Sequence, residues 1–243
     1  TGLTFIAIPE GVTSIGNNAF QNCTGLTSIT IPKSVNSIGS LVFRNCTALA
    51  ELNVEEGNAV YHSAGNCIIA TSSKTLIVGC KTSQITADAS VTTIGTNAFR
   101  DCIGLTSMVV PDNVTTIGAG AFSGCSGLES LTIPFVGSSR NPAANTNQHL
   151  FGYIFGTSSY DGGVATQQRY FTTSSTKYET YYIPASLKSV AVTGGEIVQQ
   201  RHARHVQQIL DGRRHADAEN ARHDRPLEAE FARIHANKCP AAL

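Results

Sequence analysis

Cysteine is the residue type whose number and spacing most invite a chemical reading of this chain. Seven cysteines occur, and the six at Cys23, Cys46, Cys67, Cys80, Cys102 and Cys125 lie 23, 21, 13, 22 and 23 residues apart. Zinc sites and redox pairs usually draw two thiols from one short loop, and the chain has no Cys-x-x-Cys. Thiols at long, nearly constant intervals instead suit a repeating structure with one thiol per level, where burial leaves them reduced and inert. A buried, reduced ladder is therefore the favoured reading, with disulfides or a metal as alternatives. Cys67 falls outside the regular spacing.

Other chemistry finds less support. The chain lacks a Gly-x-Ser-x-Gly elbow, a phosphate-binding glycine loop and a His-Glu-x-x-His pair. His62 beside Ser63 is adjacency in sequence, which does not make a nucleophile and its base. "GAGAF" at Gly118 reads as a turn of the repeat. Asn22, Asn45 and Asn113 begin formal glycosylation sequons, and the first two are part of the repeat signature. No catalytic, cofactor-binding or metal-ligating residue is assigned.

The elements that must position these residues are short. Charged residues are 14% of the 243 and balance to zero, so no overall field points to nucleic acid or an anionic membrane. Abundant Gly, Ser, Thr and Asn suit short strands and turns. No apolar run approaches the ~18 residues of a membrane helix. The chain opens at Thr1 without a leader and is expected to be a fragment or a processed product.

"VTSIGNNAFQNC" at 12–23 returns as "VTTIGTNAFRDC" and "VTTIGAGAFSGC". A period of 23 residues marks a stacked array, because one such unit cannot bury its apolar face alone. One half of each unit, such as "LTSITIP" at 26–32, predicts a strand with Leu26, Ile29 and Ile31 inward, Thr30 outward and Pro as the stop. Such strands should pair in parallel, one rung per repeat. The other half should bury Val12, Ile15, Ala19, Phe20 and Cys23, with Gly16 allowing a turn. Phe20, Phe43, Phe99 and Phe122 are expected to stack as a core spine. The small polar residues of "NCTGL" should hydrogen-bond main-chain atoms of adjacent repeats.

Over residues 3–125 this unit resembles the BspA-like (Treponema-type) leucine-rich repeat family, whose sentence reads "LTSITIPxSVTSIGxxAFxNCTG". The resemblance implies a leucine-rich-repeat solenoid, mainly β, with short parallel strands and irregular or 3-10 convex segments; the C-terminal tail, which the family does not account for, is expected to be helical or disordered. It implies repeats over 1–134, with 47–80 as a longer variant unit carrying a Gly-Asn turn and an inserted hairpin. An aromatic-rich insertion follows at 135–183, then a return to repeat strand at 184–197.

From 198 to 243 the composition changes: eight of the seventeen Lys and Arg and five of the seven His fall there. Val206, Ile209, Leu210, Leu227, Phe231 and Ile234 recur at helical spacing, as a cap would require. "HARH" (His202, His205) offers a weaker case for a metal or anion site. Out-of-frame sequence is the third reading, and all three stay open.

Two surfaces are candidates for partner binding. The strand positions Thr27, Ser28, Thr30, Thr106, Ser107, Val109, Glu129, Ser130 and Thr132 form an outward strip on a rigid, concave strand face. The insertion holds ten of the seventeen aromatics, and Phe151, Tyr153, Phe155 and Tyr160 among Ser, Asn and Gly resemble a binding-loop composition. Simple solvation of the strip and packing of the aromatics are the competing readings.

The resemblance implies a non-enzymatic adhesion module, extracellular or at a bacterial cell surface. Its partner would be a host matrix protein or another cell surface, with no nucleic acid, membrane insertion or cofactor. A structural spacer in a larger surface protein, with binding located elsewhere, is the alternative.

Overall fold

A computed structural model of the chain describes residues 2–86, 90–143 and 146–194. The tail readings at 198–243 lie outside the described residues. In order, the first strands are β1 (Ser14–Ile15), β2 (Ser28–Ile31), β3 (Ser37–Ile38) and β4 (Glu51–Val54). A second group follows as β5 (Tyr61–Ala64), β6 (Cys67–Ala70), β7 (Thr75–Gly79), β8 (Thr93–Ile94), β9 (Ser107–Val109), β10 (Thr116–Ile117) and β11 (Ser130–Ile133). Two 3-10 turns, Asn147–His149 and Phe151–Ile154, precede β12 (Gly163–Phe171), β13 (Thr176–Pro184) and β14 (Ser189–Val192).

The alternation in "SITI" does what period-2 patterning dictates: Ile29 and Ile31 are buried and Thr30 is exposed. Burying each such side chain contributes roughly 1.5–3 kcal/mol, but only when the next rung covers it. β2 therefore pairs in parallel with β4, Ser28 opposite Glu51, and β9 with β11, Ser107 opposite Ser130. Both offsets equal one repeat. β11 then pairs with β14, Ser130 opposite Ser189, so the ladder resumes after the insertion.

A second parallel ladder runs through the "SIG" segments, β1 with β3 and β7 through β8 to β10. Its recurring glycine permits close approach between rungs. A Cβ on Gly39 would meet the Asn17 nitrogen at 2.5 Å, and one on Gly118 the Thr96 nitrogen at 2.4 Å. The left-handed backbone lies two and six residues further on, at Asn18 and Asn22 (φ 57° and 63°), Asn97 and Asp101 (57° and 60°), and Gly120 and Gly124 (62° and 76°). Asn and Gly accept that conformation at least cost. The expectation that Gly16 makes the turn is thus corrected: the turn's unusual φ belongs to the residues two and six positions after it, Asn18 and Asn22 in the first rung and Leu41 and Asn45 in the second.

The turns stack through a third ladder, of main-chain hydrogen bonds. The amides of Asn18, Phe20 and Asn22 donate to the carbonyls of Ser40, Val42 and Arg44 (3.1, 3.0 and 2.9 Å). Asn97, Phe99 and Asp101 donate in the same way to Ala119, Ala121 and Ser123 (3.2, 2.8 and 2.8 Å). Side chains also cross rungs: of the "NCTGL"-type residues, Cys46 Sγ donates to Phe20 O at 3.0 Å, and outside that segment Ser34 Oγ donates to Val12 O at 2.8 Å and Asn113 Nδ2 to Val91 O at 2.7 Å. Asn45 differs, donating to the side chain of Asn22 at 3.0 Å.

Two apolar clusters make the core, one from Ile15 to Cys80 and one from Cys67 to Leu187. The Phe spine is broken between them. Phe20 stacks on Phe43 (centroids 5.4 Å) and Phe99 on Phe122 (5.3 Å), but no ring contact joins Phe43 to Phe99 among the described residues. Gly79 takes the missing ring's place: its amide donates to Ala98 O, and a Cβ there would lie 2.0 Å from Phe99 Cε1.

The variant unit reaches this point as a meander, because β5, β6 and β7 pair antiparallel. Gly65 and Asn66 (φ 56° and 57°) form the two-residue turn between β5 and β6 that such chemistry favours.

Ala19 is a further correction, exposed where Ala98 and Ala121 are buried. Among the described residues no earlier turn lies against it. For the same reason Val12, Phe20 and Cys23 are half-buried.

Candidate functional site

The parallel register turns isolated outward positions into rows. Thr106, Glu129 and Lys188 stand at the strand starts, where Glu129 and Ser130 donate their amides to Thr106 O, and Lys188 donates its own to Glu129 O at 2.8 Å. Ser107, Ser130 and Ser189 form the next row, and Val109, Thr132 and Ala191 the one beyond. Thr106, Ser107, Val109 and Glu129 are exposed, while Ser130 and Thr132 are half-buried. Val109, 62% exposed, is the one large apolar side chain among these rows.

Thr27, Ser28 and Thr30 make the corresponding surface of the first strands, with Thr27 and Thr30 exposed and Ser28 half-buried. Thr27 Oγ1 donates to Thr4 O at 3.1 Å. The strip is therefore in two parts, because β5 to β7 stand between β4 and β9 in the chain and no strand pair joins β4 to β9 among the described residues.

Sequence reasoning missed Glu51 and Asn53, exposed and opposite Ser28 and Thr30. It also missed Lys188, Ser189 and Ala191. Adding one repeat to Ser28 and Thr30 finds the first pair. The other three needed the unknown length of the insertion.

Charge on the strip is sparse and locally matched. Lys188 Nζ lies 2.9 Å from Glu129 Oε2, and Arg140 Nη2 3.6 Å from Asp112 Oδ1, all four side chains well exposed. Exposed pairs of this kind contribute little to stability. Thr193 Oγ1 adds a 2.6 Å hydrogen bond to Asp112 Oδ1.

The insertion divides its aromatics between core and surface. Phe151 and Phe155 are buried at 2% and 0%, and Phe155 continues the stack from Phe122 at 6.5 Å. Segment 153–155 is thus the next turn of the array: Gly120 and Phe122 donate to the carbonyls of Tyr153 and Ile154 at 3.0 and 2.8 Å. Burial leaves Phe151 and Phe155 no surface to offer a partner. Tyr153 and Tyr160 are half-buried, and Tyr160 Oη donates to Tyr182 O at 2.9 Å.

β12 and β13 form an antiparallel hairpin whose Gln168–Tyr181 face packs inward. The Gly152 amide donates to Gln168 Oε1 at 3.0 Å, and the Tyr181 ring lies where a Cβ on Gly152 would be. Burial pushes the Tyr181 phenol well above its usual range, which holds it protonated. The outer face carries Arg169 opposite Tyr178, with the Arg169 guanidinium 5.3 Å from the Phe171 ring and Tyr178 59% exposed. Composition alone did not separate these outward aromatics from the buried ones.

The six cysteines among the described residues are free, four of them buried and Cys23 and Cys102 half-buried. No three of His, Cys, Asp or Glu gather into a metal-holding group among the described residues. No described helix is long and apolar enough to cross a membrane.

A model of the BspA type leucine rich repeat region matches residues 1–65 and 73–191 in 6 copies. Among solved structures, the pneumococcal vaccine antigen PcpA is 22% identical, with 53% of this chain and 38% of that one covered and a TM-score of 0.44. A leucine rich cell surface protein from Faecalibacterium prausnitzii is 27% identical, with coverage of 53% and 47% and a TM-score of 0.40. The T. pallidum Leucine Rich Repeat protein is 24% identical, with coverage of 51% and 44% and a TM-score of 0.27. The chain spans less than half the length of these proteins. No curated protein matches it.

Proposed function

The chain belongs to the BspA-type leucine-rich repeat family, and from that premise we propose that it is a non-enzymatic adhesion module of a bacterial cell-surface or secreted protein. Its partner is a host matrix protein or the surface of another cell, bound through the outward strand positions. One observation carries this reading: Ser107, Ser130 and Ser189 share a register, flanked by the rows Thr106–Glu129–Lys188 and Val109–Thr132–Ala191. Short side chains on a paired sheet lose little entropy when ordered, so a broad polar face can bind without first being organised.

With one large apolar side chain on that face, each rung contributes weakly, and affinity depends on several rungs engaging together. The outer hairpin face, with Arg169, Phe171 and Tyr178, supplies the anchor chemistry that the strip lacks.

Immobilised matrix proteins and whole cells, titrated with the chain, test the proposal. Saturable binding lost in Val109→Glu/Thr132→Arg, with the fold intact by circular dichroism, is the expected result. Absence of saturable binding, while a longer form of the protein binds, would replace this reading with that of a spacer.

A further inference from the structure

Phe5 stands where the repeat elsewhere places serine. "LTFIAIP" at 3–9 aligns with "LTSITIP" at 26–32, and the same place holds Ser107, Ser130 and Ser189 further on. Phe5 bridges in parallel to Ser28, and Ser28 lies opposite Glu51, so the three form one outward row across successive rungs. Phe5 is 62% exposed and Glu51 is exposed, with the shorter, half-buried Ser28 between them. Ala7, one repeat before Thr30, is exposed in the same strand segment. This row gives the first part of the strip the aromatic side chain that the rows of β9, β11 and β14 lack.

A phenyl ring left in water contributes little to the fold, so its apolar area remains available to a partner. What that partner brings follows from charge. Residues 2–60 carry Glu10, Glu51, Glu55 and Glu56 against Lys33 and Arg44, and Arg44 is held by Asp101 at 2.8 Å. Glu51 has no ion pair among the described residues, whereas Glu129 on the second part of the strip is matched by Lys188, and Asp112 by Arg140. The row is therefore short of a cation.

Rungs of a parallel sheet are about 4.8 Å apart, so a flat group held over Ser28 lies within reach of the ring on one side and the carboxylate on the other. Arginine suits both, because its planar guanidinium stacks on an aromatic face while its N–H groups pair with a carboxylate. A lysine ammonium lacks the flat face. The chain makes the stacking contact itself, with Arg169 5.3 Å from the Phe171 ring and Arg140 5.9 Å from that of Phe135. A saccharide would use the ring and the hydroxyls but leave the carboxylate without its counter-charge. We propose that Phe5, Ser28 and Glu51 form a slot for an arginine side chain of the partner protein, with Phe5 stacking on the guanidinium and Glu51 pairing with it. The inference rests on the adhesion reading for its choice of a protein as partner, and it names the chemistry by which the first rungs select one.

The slot is tested in the whole chain with a capped peptide, Gly-Ser-Arg-Ser-Gly, and its counterpart carrying citrulline, which keeps the shape and removes the charge. NMR shifts of the Phe5 ring and of the Ser28 and Glu51 amides follow the titration. The arginine peptide should give saturable changes centred on these residues with a millimolar dissociation constant, as one cation–π contact and one exposed ion pair allow. Citrulline should weaken binding by about fivefold or more. Phe5→Leu, which keeps apolar area without the ring, and Glu51→Gln should each do the same with the melting temperature unchanged, and Phe5→Trp should retain binding. In parallel, Glu51→Arg should weaken saturable binding to immobilised matrix protein by about tenfold or more.

No saturable change up to tens of millimolar peptide, equal binding of the citrulline peptide, or unchanged binding by both Phe5→Leu and Glu51→Gln would overturn the proposal. So would the same shifts from lactose, which would assign the row to a saccharide, or shifts that grow with the concentration of the chain alone, which would assign it to a second copy. Peptide binding by a chain that binds neither matrix protein nor cells would keep the arginine slot and retire the adhesion reading. Failure of the slot with matrix binding intact would do the reverse.

Discussion

The thiol of Cys125 lies 3.1 Å from the carbonyl oxygen of Phe99, one rung back and 26 residues earlier in the chain. Cys46 repeats the relationship with Phe20 O at 3.0 Å. Cys102 donates to Gly79 O at 3.5 Å, which identifies Gly79 as the stand-in for the absent phenylalanine. A small apolar residue with one weak donor suits this position, because it fills the turn and satisfies a carbonyl near the core.

These thiols should be inert until the chain unfolds. Burial raises the pKa of Cys46 to about 11 and of Cys67 to about 12, and also pushes the Cys102 and Cys125 thiols well above their ordinary value. The nucleophilic thiolate is therefore scarce at neutral pH. Titration with an aromatic disulfide reagent should label Cys46, Cys67 and Cys125 at least a hundredfold more slowly in the native chain than in denaturant. Rapid native labelling of any two of them would show that the ladder is open to solvent.

Raised thiol pKa values also set an alkaline limit. The native state holds these protons more tightly than the unfolded state, whose thiols titrate near 9.0. Stability from them is complete below about pH 9 and declines as pH rises through the native values, about 11 for Cys46 and about 12 for Cys67. Melting temperature should be level from pH 7 to 8.5 and fall beyond it. Cys46→Ala should reduce that fall while lowering the melting temperature at neutral pH.

Phe99 and Gly79 form one packing unit. Phe99→Ala should cost about 3–5 kcal/mol, the range for emptying a filled aromatic site. Gly79→Ala should cost about 1–3 kcal/mol, because its methyl would meet the ring. In chemical denaturation the two losses should not add: with the ring gone, the alanine methyl has room, and the double variant should be more stable than the sum predicts by about 1 kcal/mol or more. Additive losses would show that Gly79 and Phe99 do not touch.

Legibility in the sequence followed sequence separation. Leu26, Ile29 and Ile31 could be placed inside because strand alternation is local, and their pairing followed because 23 residues separate equivalent positions. The broken spine could not be placed that way. Equivalence of Gly79 to a phenylalanine, and of Phe155 to Phe122 at 33 residues' remove, depends on how a meander and an insertion re-enter the stack. No period records that path. The candidate site was legible as Thr, Ser and Glu positions on β2, β9 and β11, while Glu51 and Lys188 became neighbours only through register.

The outer face of the hairpin offers the sharpest test of where a partner's energy comes from. Arg169, Phe171 and Tyr178 lie away from the inward Gln168–Tyr181 face, so replacing them leaves the packing on Gly152 untouched. Aromatic and arginine side chains dominate binding energies where they become fully covered, and losing one such anchor commonly costs 2 kcal/mol or more, roughly thirtyfold in affinity. Hydroxyl rows lack that leverage, and a single Ser107→Ala should change affinity by less than about fivefold. If the hairpin anchors the partner, Arg169→Ala/Tyr178→Ala should weaken binding to matrix protein at least thirtyfold, with the melting temperature moving by no more than a few degrees. Unchanged binding in that variant, together with loss in Val109→Glu/Thr132→Arg, would place the energy on the strand rows alone.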